Sequence, residues 1–233
     1  MSRAARLTEI DCLRGIAIVL MIIFHTVFDL SYFYQQPIDY LNGFWYYQGK
    51  TSAVLFMFVS GISCMLSRNS IHRGFQVLGT GLVITITTYF FSPAAYIRFG
   101  ILHLLGVGMI AAPWLKRYNV KTLALAGTVC IAAGKQTANL SATMSWLIPF
   151  GVTPPNFASL DYYPIFPWLG VILYGMAAGK LLYPDKQAIW PAAALYRSAR
   201  WLNWLGRHSL VIYLVHQPLI LATLYVIHKL LTS

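Results

Sequence analysis

Seven apolar runs leave this chain very few ways to fold. They fall at about Ile10–Tyr32, Thr51–Leu66, Phe75–Phe91, Phe99–Leu115, Val120–Ala133, Pro164–Leu182 and Ser209–Leu231. A helix of roughly 17–25 such residues crosses the ~30 Å hydrocarbon core of a bilayer. Inside lipid every backbone N–H and C=O must be satisfied within the protein, which leaves helices or closed barrels. These runs are continuous rather than alternating, so they select helices. The expectation is all-α: a polytopic membrane helix bundle of about seven transmembrane helices, forming one domain over residues 1–233. The fifth run is the shortest and the weakest span. The segment Asn139–Val152 reads as a loop or as an interfacial or re-entrant helix.

Composition agrees with that class. Hydrophobic residues make up 58% of the chain and charged residues 10%, where a soluble domain carries about 25% charged residues. The net charge of +11 does not point to nucleic acid, because the cations sit between apolar runs and form no basic cluster with exposed aromatics. Cys12, Cys64 and Cys130 are odd in number and lie in or beside apolar runs, so no disulfide framework is implied. Arg3 and Arg6 ahead of the first run resemble a signal peptide. The run is too long for one, contains His25 and lacks a small-residue cleavage site, so it reads as a retained span. With the N-terminus inside, 13 of the 17 Lys and Arg fall on inner segments, among them Arg3, Arg6, Arg14, Arg68, Arg73, Arg197 and Arg207. Only Lys50, Arg98, Lys135 and Lys229 fall outside. This bias predicts a cytoplasmic N-terminus and an outer C-terminus.

The first run carries the most informative polar residues. Arg14, His25 and Asp29 lie within it or at its edges, and ionisable groups inside a span are costly enough to be functional candidates. Arg14 and His25 are 11 residues apart, which returns to nearly the same helix face about 16 Å further along. Asp29 lies one turn beyond His25 on that face. One stripe therefore carries a cation near one surface and an imidazole and a carboxylate nearer the other. The plainer alternatives are an interfacial arginine that snorkels and a hydrogen-bonded packing histidine.

Three further groups fall at informative depths. His103, in FGILHLLG, comes soon after the fourth run begins on the outside. Asp161, in LDYYPIFPW, immediately precedes the sixth run, also outside. His25, Asp29, His103 and Asp161 thus have a route to a common outer site, and convergence from three segments favours a site. Alternatively, His103 packs and Asp161 caps a helix. His216, in SLVIYLVHQP, lies within the last run. It contacts a ligand tail or hydrogen-bonds a backbone carbonyl beside Pro218. Gly175 and Gly179 form a small-residue pair suited to close helix packing.

A histidine held by a carboxylate suits a general base acting on a hydroxyl or amine. Cations at the inner mouth, Arg14, Arg68 and Arg73 among them, suit a phosphate-bearing ligand. No metal-ligand spacing, nucleophile elbow, phosphate loop or dinucleotide fingerprint appears, and no metal is expected.

The run IDCLRGIAIVLMIIFH resembles the first span of the heparan-α-glucosaminide N-acetyltransferase catalytic-domain family. FGILHLLG, DYYPIFPWLGVILYG and LGRHSLVIYLVHQP resemble that family's later motifs in the same order. The resemblance covers about Arg6 to Leu219 and is closest to the compact prokaryotic branch. The spacing of Arg14 and His25 is also similar to that of membrane acyltransferases that O-acetylate polysaccharides. The resemblance implies an integral membrane acyltransferase in a prokaryotic cytoplasmic membrane. It would move an acyl group, expected to be acetyl, from cytosolic acyl-CoA to an amine or hydroxyl of a glycan or glycolipid acceptor on the outer side. From depth and side-chain chemistry, the expected catalytic residues are His25, Asp29, His103 and Asp161. The expected cofactor-binding residues are Arg14, Arg68, Arg73 and His216, with acetyl-CoA as the co-substrate that the resemblance implies. The lysosomal members place a catalytic histidine in a loop whose counterpart here, Phe33–Lys50, has none, which moves that role toward His25. A homodimer is compatible with such a bundle. The competing classes are a small proton-coupled transporter, in which buried His and Asp relay protons, and a non-catalytic lipid-binding membrane protein.

Overall fold

The computed structural model describes residues 7–189 and 199–232. Arg3, Arg6 and Arg197 lie outside the described residues. Each of the seven apolar runs is a helix: α1 (Thr8–Tyr34), α2 (Gly43–Leu66), α3 (Ser70–Phe91), α4 (Ile101–Leu115), α5 (Val120–Thr137), α6 (Ile165–Leu182) and α8 (Ser209–Thr232). A short helix, α7 (Arg200–Arg207), precedes the last. The described residues are otherwise loops, and of Asn139–Val152 only Ser145–Phe150 is helical, as a 3-10 turn. Five helices, α1, α2, α3, α6 and α8, are long and apolar enough to cross a membrane. The fourth run gives a shorter apolar helix of 15 residues. The fifth is extended by Gly134–Thr137 into 18 residues, a polar end that lowers its hydropathy.

Local sequence explains the helix ends. Asn119 caps α5, its side chain accepting from the Thr122 N–H at 2.9 Å, as Asn does at N-caps. Pro164 is the N-cap of α6, and Phe166 inside its first turn is extended (φ −99°, ψ 124°). Regular helix thus starts at Pro167, where the missing N–H costs little. α2 begins well before its apolar run, with Phe44, Trp45, Tyr46 and Tyr47 in its opening turns. Such aromatics favour the membrane–water interface.

The chain forms two compact units, one of Met57–Lys186 and one of Met1–Phe56 with Gln187–Ser233. The boundary falls inside α2.

In the larger unit, Cys64, Ala112, Leu123, Leu173, Met176 and Ala177 form a buried core contributed by α2, α4, α5 and α6. α2 and α6 meet at Gly61 and Gly175. A Cβ on Gly61 would strike the backbone of Ile172, and one on Gly175 that of Phe58, so this approach needs glycine. At the ends where α2 and α4 finish, Lys116 Nζ donates to Ser67 O at 2.5 Å. Lys180 Nζ donates to Lys116 O and Tyr118 O at 3.1 and 2.7 Å. Lysines there satisfy carbonyls that helix termini leave unpaired. Burial pushes the Lys116 ammonium pKa below the usual lysine range, and the neighbouring Lys186 charge adds to that.

In the smaller unit, α1 packs against α7 and α8. The first half of α2 is tied to α1 by Ser52 Oγ donating to Ala17 O at 2.9 Å and Gln48 Nε2 donating to Leu20 O at 2.7 Å. α1 and α8 run parallel. His25 meets His216, Asp29 meets Gln217, and Tyr34 meets His228, in the same order along both helices.

Candidate functional site

The α1–α8 pair buries a polar cluster inside two apolar helices. His25 and Asp29 project from α1 one turn apart, and His216 and Gln217 are consecutive in α8. The imidazoles of His25 and His216 meet edge to face, with centroids 4.7 Å apart and planes at 68°. His216 is 7% exposed and Asp29 is fully buried. Gln217 Nε2 donates to both oxygens of Asp29, at 2.8 and 3.0 Å. His216 Nδ1 lies 2.6 Å from Tyr213 O. A carbonyl only accepts, so Nδ1 carries the proton and Nε2 presents a lone pair. Within this cluster His25 Nδ1, His216 Nε2 and Gln217 Oε1 are buried without a hydrogen-bond partner among the described residues, as are Gln48 Oε1, Ser70 Oγ and Asn203 Oδ1 elsewhere. Buried polar atoms are nearly always paired, so three orphans in one cluster single it out as the candidate site.

A second polar group, in the larger unit, has the opposite character, because its bonds are satisfied. His103 is 4% exposed in the first turn of α4. Its Nδ1 accepts the Gly100 N–H at 3.2 Å. That fixes the neutral ring with its proton on Nε2, which donates to Thr85 Oγ1 at 3.2 Å. Asp161 Oδ2 accepts the Ile101 N–H at 2.9 Å, placing a carboxylate on a helix N-terminus, where the macrodipole favours it. A Cβ on Gly100 would collide with that carboxylate. The loop is held there by Tyr163 N–H donating to Phe99 O at 3.0 Å and Ser159 Oγ donating to Tyr96 O at 3.2 Å. Nearby, the Tyr162 hydroxyl donates to Ile148 O at 2.7 Å, and burial pushes its pKa up to about 12.

The start of α1 is ionic. Asp11, 1% exposed, pairs with Arg14 at 3.0 Å and with Arg207 at 3.5 Å. Glu9 accepts the Ile189 N–H at 2.8 Å. Arg14 is thus engaged with α1's own Asp11, with 23% of its side chain exposed. Arg68 and Arg73 lie exposed at the α2–α3 turn of the other unit.

The residues singled out from sequence therefore divide. His25, Asp29 and His216 come together in the smaller unit. His103 and Asp161 come together in the larger one, where both cap α4 and Asp161 serves α4 rather than the α6 helix it precedes. No hydrogen bond joins Asp29 to His25; the amide of Gln217 occupies the carboxylate. His216 has the backbone-carbonyl bond that was one of its two readings. Gln217 was missed, although an uncharged polar residue beside a histidine inside an apolar run is itself a signal. Asp11 and Arg207 were missed as a pair because α7 was not anticipated.

A family model described as heparan-alpha-glucosaminide N-acetyltransferase, catalytic, matches residues 6–218 of this chain. No curated protein matches the chain significantly. Nor does any solved structure.

Proposed function

This chain belongs to the heparan-alpha-glucosaminide N-acetyltransferase catalytic family, and we propose that it transfers an acetyl group from acetyl-CoA to a sugar-like acceptor across the membrane, with His25 as general base. It is an integral membrane member of an acetyltransferase family, and five helices among the described residues are long and apolar enough to span. One observation carries this reading. The first helix brings the half-buried His25 against the buried His216, so that two imidazoles face each other within apolar helices.

The chemistry follows from what a neutral imidazole does. The acceptor's nitrogen or oxygen attacks the thioester carbonyl carbon while His25 removes that atom's proton. The new C–N or C–O bond forms, the C–S bond breaks, and the proton passes to the departing sulfur. A base in this role contributes about 10²–10⁴-fold. The parallel run of α1 and α8 fits termini on opposite faces, and the cation bias favours a cytoplasmic N-terminus and an outer C-terminus. Loading of acetyl-CoA from the cytoplasm would then begin at the ionic start of α1. Arg14 and Arg207 there are suited to the phosphates of the donor. The acceptor would be an envelope glycan or glycolipid in a prokaryotic inner membrane.

Radiolabelled acetyl-CoA presented to one face of proteoliposomes, with glucosamine and a panel of glycans on the other, tests this reading. Label transferred to an acceptor is the expected result. Acetyl-CoA crossing intact, or binding with no transfer to any acceptor, points to a transporter or a binding protein instead. In the same assay Arg14→Ala should raise the acetyl-CoA KM about tenfold with little change in kcat, and an unchanged KM limits Arg14 to its pair with Asp11.

A further inference from the structure

We propose that His216 is the positioning residue for His25: the Nδ1–H of His25 donates to Nε2 of His216, and this holds Nε2 of His25 as the free base. The inference rests on the base role given to His25 above and adds the group that orients it.

A histidine base needs one nitrogen bonded and the other bare, because the bond fixes both tautomer and ring orientation. In most such sites a carboxylate supplies the bond. Here the nearest carboxylate, Asp29, takes its hydrogen bonds from the Gln217 amide on both oxygens. That leaves the neighbouring ring. His216 has its Nδ1–H committed to the Tyr213 carbonyl at 2.6 Å, so its Nε2 is able only to accept. This Nε2 is buried without a partner among the described residues, and so is Nδ1 of His25. One is an acceptor and the other is a potential donor. They belong to rings whose centroids lie 4.7 Å apart, a separation at which turning the rings brings facing nitrogens within hydrogen-bond reach. Pairing them satisfies two buried orphans with a single bond, where each alone would be left desolvated and unbonded. The direction of the chain is then set from its far end: the Tyr213 carbonyl fixes His216, and His216 fixes His25. The carbonyl belongs to α8's own preceding turn, so the relay rests on regular helix backbone rather than on a loop.

The test reads the tautomers directly. Protein labelled with nitrogen-15 in histidine is reconstituted in bilayers and examined by solid-state NMR without ligand, the His25 signals being assigned by their loss in His25→Asn. The expected spectrum has His25 protonated at Nδ1 and bare at Nε2. His216→Phe keeps an aromatic ring of similar size but removes the acceptor, and should move the His25 proton to Nε2. His216→Gln, whose carbonyl oxygen accepts, should leave it on Nδ1. In turnover of an accepted substrate, kcat should fall about 10²-fold in the Phe variant and recover substantially in the Gln variant, with KM for acetyl-CoA unchanged. His25 protonated at Nε2 in the wild-type protein overturns the proposal, and so does the same His25 tautomer in wild type and His216→Phe. The wild-type spectrum decides even where a variant fails to fold. His25→Ala with normal turnover would instead remove the base reading, whatever the tautomer.

Discussion

Asp29 on α1 is fully buried and is held by Gln217 on α8, whose amide nitrogen lies 2.8 and 3.0 Å from its two oxygens. The bond joins two residues 188 positions apart in sequence. A carboxylate with only a neutral amide as partner depends heavily on that partner. Gln217→Leu should therefore destabilise the protein by about 1–3 kcal/mol, because it leaves a buried carboxyl group without its hydrogen-bond partner. Asp29→Leu combined with Gln217→Leu should be less damaging than Gln217→Leu alone, because no buried polar group is left unpaired. Thermal unfolding in detergent measures both. A double variant no better than the single one would show that Asp29 does not depend on Gln217.

Asp161 and His103 act on the first turn of α4. Asp161→Asn keeps an oxygen for the Ile101 N–H, so folding and turnover should stay within about threefold of wild type. Asp161→Ala should cost about 0.5–2 kcal/mol, the usual value of a helix cap. His103→Ala should likewise reduce stability while kcat of the folded enzyme falls less than for His25→Ala. A dead but folded Asp161→Asn would return Asp161 to the chemistry.

Tyr162 sets an alkaline limit. Its hydroxyl pKa is about 12 when folded, against ~10 when unfolded. Between these values the unfolded chain binds fewer protons than the folded one, so stability falls as pH rises. Below pH ~10 the group makes no pH-dependent contribution. Tyr162→Phe should flatten this part of the stability curve and cost about 1 kcal/mol at neutral pH through loss of the Ile148 bond. Equal alkaline slopes in the two proteins would contradict this.

Much of the fold was legible because it is written in runs. The span estimates Phe75–Phe91 and Ser209–Leu231 end within a residue of α3 and α8, since apolar length is a local property. The start of α2 was not legible, because Gln48, Gly49 and Lys50 interrupt its hydropathy and helix formation there rests on docking to α1. α7 is too short to signal itself. The site was half legible. His25 and Asp29 stand out as ionisable groups in an apolar helix. Their partners depend on which face of α8 meets α1, which no local pattern states. For the same reason the sequence does not say which helix Asp161 caps; it caps α4, 60 residues earlier.

The central claim is that His25 carries the proton transfer. Turnover of acetyl-CoA by purified His25→Ala, in liposomes with an acceptor used by wild type, tests it most directly. The account predicts a loss of at least about 10²-fold in kcat, with acetyl-CoA binding by calorimetry and thermal stability retained. A His25→Ala enzyme that folds, binds acetyl-CoA and turns over within a few-fold of wild type would contradict it.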